Sequence, residues 1–143
     1  MQAAEFAVPR LVSAGVVAGV WVFISGILMA ALFGYREMSA AFGRIGLAVP
    51  AGTSSFLIHT VVRLGLGMAI AILFAVSVRV FSVGQAVLVA AALAWLLGAF
   101  FPYLVVTEWG LFPWRLAWKV WGWSAGEFLI AALIARFVYY RPW

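Results

Sequence analysis

The chain has 143 residues, of which 68 % are apolar and only 9 % are charged, and its mean hydropathy is +1.17. Soluble domains are about half apolar and about a quarter charged, so this composition excludes an ordinary globular protein. The net charge of +5 comes from Lys and Arg residues spread along the apolar stretches and their ends, where they serve topology and anchoring, so we expect no nucleic-acid partner.

Four apolar stretches are each long enough to cross the ~30 Å hydrocarbon core of a bilayer as a helix. We predict an all-α integral membrane protein with one domain over residues 1–143, an antiparallel four-helix bundle with spans at about 9–33, 54–81, 85–106 and 113–138. The N-terminal stretch has no basic region ahead of its apolar run and no small-residue cleavage site. We therefore interpret it as a retained first helix rather than a signal peptide.

Gly15 and Gly19 in the first span have the GxxxG spacing, which lets the backbone of another helix approach closely. The alternative is that glycine is simply common in transmembrane helices. The polar interval 34–53 follows, and its segment MSAAFGRIGL predicts a short amphipathic element on the membrane surface. This interval is the best candidate for an element that faces a partner.

His59, Arg63 and Gly67 are four residues apart in the second span and therefore share one helical face. An arginine inside a membrane is costly and marks a functional site by default, although a structural ion pair is the interpretation we favour. His59 offers one imidazole nitrogen to a haem or a chlorophyll magnesium, but one histidine makes no bis-histidine site. A hydrogen-bonded histidine in the core or at an interface is the better interpretation.

The third span follows the second after the short connection 82–85, so the two spans form a helical hairpin. Pro102 lies inside the helical pattern of the third span. Proline removes a backbone donor and clashes with the preceding turn, so we expect a kink or an early end of the helix there.

The fourth span places Lys119 and Glu127 on one face, and Gly122 and Gly126 repeat the GxxxG spacing beside the carboxylate. We expect Gly122 and Gly126, like Gly15, Gly19 and Gly67, to be helix-packing positions. The second and fourth spans enter the membrane from the same side, so Arg63 and Glu127 lie at similar depths.

We predict that Arg63 and Glu127 face each other, with His59 and Lys119 on the entry side of the pair. These four residues form the predicted buried polar cluster. Tryptophan and tyrosine favour the headgroup level, so aromatic residues near the span ends are predicted interfacial anchors: Trp109, Trp114, Trp118, Trp121, Tyr139 and Tyr140.

Basic residues at the span ends do not decide the orientation. The side of the two termini holds Arg10, Arg79, Arg136 and Arg141, and the other side holds Arg36, Arg44, Arg115 and Lys119. We expect both termini in the cytoplasm, because Lys119 is better explained by its site within the helix.

The last quarter of the chain resembles a loose group of uncharacterised bacterial four-span membrane proteins. Their final helix has a tryptophan-rich entry, a buried glutamate and a small-residue seam before an aromatic and basic tail, which correspond here to Trp118–Glu127 and Tyr139–Arg141. The resemblance implies a fold and no activity. We expect the protein to lie in the inner membrane of a bacterium.

Catalytic motifs are absent from the sequence, which also lacks cysteine and aspartate, so we expect no enzymatic activity. Two functions remain. One is a non-catalytic accessory or structural subunit of a larger membrane complex, and the other is a small homo-oligomeric channel or transporter that uses the polar cluster. The expected partners are lipids and the transmembrane helices of other proteins or of further copies. The sequence requires no cofactor or metal, and a haem or pigment on His59 is not favoured.

Overall fold

The computed structural model describes residues 8–44, 46 and 52–141, without the side chain of Tyr35. The secondary structure of this part of the chain is helical throughout. In chain order the elements are α1 (Val8–Met29), a π-helical turn (Ala30–Gly34), α2 (Tyr35–Arg44), α3 (Thr53–Ser77), α4 (Val83–Trp95), a second π-helical turn (Leu96–Phe100), α5 (Phe101–Glu108) and α6 (Trp114–Tyr139).

Four continuous helical stretches are long and apolar enough to cross a membrane, which confirms the predicted all-α, four-span class. They are Val8–Phe33, Thr53–Ser77, Val83–Glu108 and Trp114–Tyr139. The second span ends earlier than we predicted, so Arg79 lies in the turn that follows it. Ser82 caps α4: its hydroxyl accepts from the Gln85 backbone, and the Gln85 side chain accepts from the Ser82 backbone N–H at 3.1 Å.

Pro102 does not end the third span, contrary to the early stop that we considered. The π-helical turn Leu96–Phe100 comes directly before α5, and the Phe101 N–H donates to the Leu96 carbonyl five residues back. A wider turn at this place accommodates a proline, which has no N–H of its own and crowds the carbonyl four residues before it. The helix then continues to Glu108.

The spans pack as a bundle in which α1 and α4 each lie against both α3 and α6, while α3 and α6 also touch across the diagonal. Alanines fill much of the core, and Ala18, Ala90 and Ala131 are fully buried. Small side chains let helices approach closely, which matters in a membrane because apolar side chains gain little there by leaving lipid. Large apolar residues such as Val61 and Leu88 point outward.

Helices α1 and α3 approach each other closely at their glycines. A Cβ on Gly67 would fall onto the backbone of Gly19, and a Cβ on Gly15 would lie 2.9 Å from the Met68 Cα. Gly122 and Gly126 behave differently, because a Cβ at either position meets no described atom within 4 Å. Within this chain they are therefore not packing positions, contrary to our prediction.

The polar interval after the first span contains helix α2, which begins three residues before the predicted segment MSAAFGRIGL. Helix α2 is continuous with α1 and runs along MSAAFGR, with Ala41 buried and Phe42 half-buried. Residues 45 and 47–51 lie outside the described part of the chain. This interval thus contributes a helix that extends the first span and brings Glu37 into contact with Lys119 of α6.

Candidate functional site

A buried ion pair joins α3 to α6 across the diagonal of the bundle. Arg63 Nη1 donates to Glu127 Oε1 at 2.8 Å, so the two residues face each other as their spacing and depth predict. The side chain of Glu127 is 1 % exposed and that of Arg63 is 19 % exposed. A buried charge of either sign is costly without its partner, so each residue requires the other in place.

The second oxygen of the carboxylate is held by α1. Ser25 Oγ donates to Glu127 Oε2 at 3.0 Å, and Trp123 Nε1 donates to Ser25 Oγ at 2.9 Å. Trp21 Nε1 donates to the backbone carbonyl of Glu127 at 3.0 Å. The network therefore ties three spans together around one carboxylate.

Sequence reasoning missed the roles of Ser25 and Trp21. A signal was present, since Ser25 lies seven residues, or about two turns, after Ala18 and so shares the face of α1 that carries the buried residues Ala14 and Ala18. Gly26 has a further role that its spacing does not reveal. A Cβ at Gly26 would lie 2.9 Å from Arg63 Cζ and 3.0 Å from Nη2, so the missing side chain makes room for the guanidinium.

The ion pair borders a cavity of about 490 Å³ between the spans. This volume lies in the usual range for small-molecule sites in proteins. Its polar lining is His59, Arg63, Tyr103, Ser124 and Glu127, and the rest is mainly apolar: Gly26, Ile27, Met29, Ala30, Met38, Val62, Leu66, Gly98, Ala99, Val120 and Phe128.

Lys119 does not belong to this network, which corrects the predicted cluster. Its Nζ donates to Glu37 Oε1 at 2.6 Å, and both side chains are partly exposed. The hydrogen bond from Lys119 holds the pKa of Glu37 below its usual 4.5, against a smaller opposite effect of burial. The prediction for Lys119 was wrong because its partner, Glu37, lies in the polar interval 34–53, and the spacing of residues within α6 gives no information about it.

His59 lines the cavity one turn from Arg63, but it is exposed rather than buried, which also corrects the predicted cluster. Its ring centroid lies 6.1 Å from that of Phe23. Among the described residues, no group of three or more His, Cys, Asp or Glu side chains is placed to hold a metal ion. The cluster thus divides into the Arg63–Glu127 pair with His59 beside it and a separate Lys119–Glu37 pair.

The six predicted interfacial anchors differ in how exposed they are. Trp109, Trp114, Trp118 and Tyr140 are exposed, and Tyr139 is half-buried with its ring 6.0 Å from Phe74. Trp121 is only 3 % exposed, so it is a core residue and not the anchor that we predicted.

The burial of Trp121 follows from how the third span packs against α6. The Phe100 ring lies 4.9 Å from the Trp121 ring, and Trp95 Nε1 donates to the Trp121 backbone carbonyl at 2.9 Å. The spacing within α6 places Trp121 on the same helical face as Trp114 and Trp118. It does not show that the third span covers this face at Trp121.

Comparison with known proteins adds no relative: no protein-family model, curated protein or solved structure matches the chain. Its function must therefore be argued from the bundle, the buried pair and the cavity.

Proposed function

We propose that this membrane protein is a non-catalytic accessory or structural subunit, whose bundle packs against the helices of a larger membrane complex. The observation that carries the proposal is the outer face of α6. Gly122 and Gly126 are exposed there, and no described residue comes within 4 Å of a Cβ built on either. Paired glycines of this spacing admit a neighbouring helix at short distance, and within this chain the place is open.

The charges within the spans support a structural role. Arg63 and Glu127 neutralise each other, and Ser25 donates to the remaining carboxylate oxygen. Each carboxylate oxygen of Glu127 accepts one of these hydrogen bonds, which fixes the side chain between α1 and α3. A charge held in this way supports the bundle, as expected for a structural ion pair.

We further propose the inner membrane of a bacterium with both termini in the cytoplasm. The ion pair with Glu37 accounts for Lys119 by a contact within the protein. If Lys119 is set aside as a topology signal, the basic residues at the span ends favour the side that holds Arg10, Arg79, Arg136 and Arg141.

The test is the native mass of the tagged chain after extraction from its own membrane in mild detergent. We expect it to migrate with a much larger assembly. Gly126→Leu should release it from that assembly without unfolding it, since this position is exposed and a Cβ built there meets no atom of another described helix within 4 Å. Ala92→Leu, at an exposed position on α4, is the matched control and should leave the assembly intact. A wild-type chain that migrates alone would contradict the proposal.

The second candidate is a small homo-oligomeric channel or transporter. Its support is that His59, Arg63 and Glu127 line one cavity, whereas Lys119 lies outside it. This function predicts a homo-oligomer in detergent and ion or proton flux in liposomes that Glu127→Gln abolishes. A large hetero-assembly without flux in liposomes would reject it.

A further inference from the structure

We propose that the cavity beside Arg63 and Tyr103 binds a neutral, mainly apolar small molecule through a carbonyl oxygen, as a quinone or a similar membrane-soluble carbonyl compound would present. This site lies between the spans, on the opposite side of α6 from Gly122 and Gly126, and it opens at the exposed residues Ile27 and Val62. Binding at the cavity and assembly through the outer face can therefore succeed or fail independently.

The walls of the cavity favour an apolar body. Ile27, Met29, Val62, Leu66 and Phe128 surround it, and its volume of about 490 Å³ is large enough for a ring with a short tail. His59 is ~9 Å along α3 from the start of the helix, and Glu127 is ~20 Å along α6 from its start, at 1.5 Å per residue. The cavity thus extends from near one membrane surface toward the middle of the bundle.

The polar end of the cavity offers hydrogen-bond donors. A guanidinium carries five N–H donors, and in the described part of the chain the hydrogen bond of Arg63 is the one that Nη1 makes to Glu127. Tyr103 lines the same cavity, and its hydroxyl has no hydrogen-bond partner among the described residues. A carbonyl oxygen accepts two hydrogen bonds, so one such atom can accept from both the Arg63 guanidinium and the Tyr103 hydroxyl.

The charge of the site selects a neutral ligand. Glu127 already compensates Arg63 at 2.8 Å, so an incoming anion would meet the carboxylate as well as the guanidinium. A cation would meet the guanidinium in the same way. Because charges interact strongly where water is scarce, both kinds of ion are disfavoured against a dipolar acceptor.

The experiment is a titration of the full chain in detergent micelles with 2-decyl-1,4-benzoquinone, followed by calorimetry. Tyr103→Phe removes only the hydroxyl, and we expect it to raise Kd roughly three- to tenfold, the effect of one neutral hydrogen bond. Ala30→Leu fills part of the cavity and should abolish binding. The matched controls are Tyr140→Phe and Ala31→Leu, both at exposed positions outside the cavity, which should bind as the wild type does.

Two comparison probes separate the proposed chemistry from simple partition. Decylbenzene has no carbonyl, and decanoate carries a charge, so both should bind more weakly than the quinone. Equal Kd values for Tyr103→Phe, Ala30→Leu and their controls would overturn the proposal. So would decylbenzene or decanoate binding as tightly as the quinone, or a phospholipid that native mass spectrometry finds in the cavity and that the quinone does not displace.

Discussion

Two ion pairs in the described part of the chain have nearly equal lengths, and their surroundings differ greatly. Arg63 and Glu127 are 2.8 Å apart inside the bundle, and Lys119 and Glu37 are 2.6 Å apart where both side chains are partly exposed. The shorter pair is expected to matter less. The contribution of each pair to stability depends on its burial and on its further hydrogen bonds, and the N···O distance does not decide it.

The physical reason lies in what remains when one partner is removed. A buried charge left alone has neither water nor a counter-charge, whereas an exposed charge left alone is hydrated. Glu127 also receives a hydrogen bond from Ser25, which links the pair to a third span. The Lys119–Glu37 pair instead joins α6 to α2, outside the first span, and both of its side chains are partly exposed.

The largest expected effect is that of Glu127→Ala, which leaves the guanidinium of Arg63 inside the bundle without its carboxylate. We expect a loss of about 3–5 kcal/mol in the free energy of unfolding, as for other buried pairs that lose one partner. Denaturant titration in detergent micelles measures it, with Arg115→Ala at an exposed position of α6 as the control.

The double variant Arg63→Ala with Glu127→Ala should be more stable than Glu127→Ala alone, because it leaves no unpaired buried charge. Losses that simply add in this double-mutant cycle would show that the two residues are not coupled, and the ranking of the two ion pairs would fail.

The next effect in size is that of Ser25→Ala. This change removes the donor to Glu127 Oε2 and leaves the Trp123 N–H without its acceptor, so we expect a loss of about 1–3 kcal/mol. Ser124→Ala is the matched control, because that buried hydroxyl bonds only to backbone carbonyls of its own helix. If both variants lose the same free energy of unfolding, the hydrogen bonds of Ser25 stabilise the fold no more than those of Ser124 to its own helix.

Much of this arrangement follows from the sequence. Hydropathy predicts the four spans, and the spacing within α3 and α6 predicts that Arg63 and Glu127 meet. That prediction needed only two facts. Charged side chains within a membrane span face the interior of the bundle, and the two residues lie at similar depths. Depth along a helix is a property of the sequence, since each residue advances ~1.5 Å.

What the sequence does not provide is the rotation of each helix about its axis relative to its neighbours. Trp121 shares a face with Trp118, yet one is buried under the third span and the other is exposed. Likewise, Glu37 lies outside the spans, and nothing in the pattern of α6 indicates that α2 brings it to Lys119. The cavity is a product of these rotations and has no sequence signature.

A smaller effect is expected from Lys119→Gln. It should lower the free energy of unfolding by less than Ser25→Ala does, and the loss should be smaller in 1 M salt, where the screening length falls to about 3 Å. The same denaturant titration at low and high salt measures it. A loss of the same size at low and high salt, or one that equals the loss in Glu127→Ala, would show that the Lys119–Glu37 pair is not a solvated contact.

The smallest effect is a local release of α2 in acid. The hydrogen bond from Lys119 lowers the pKa of Glu37 below 4.5, and a weaker attraction from Arg115 acts in the same direction. A carboxyl whose pKa is lower in the folded state stabilises the fold above its unfolded pKa, and this contribution is lost as the pH falls through the folded pKa. The contact between α2 and α6 should therefore persist at pH 5 and be lost only below 4.5.

A spin label can report this release, because the chain has no cysteine and Ser39→Cys on the exposed side of α2 gives a single attachment site. The mobility of the label should be the same at pH 7 and pH 5 and should rise in stronger acid. Glu37→Gln cannot titrate, so its label should already be mobile at pH 7 and stay so. If that variant follows the same pH curve as the parent, a different carboxyl controls α2, and Glu37 does not hold this helix to the bundle.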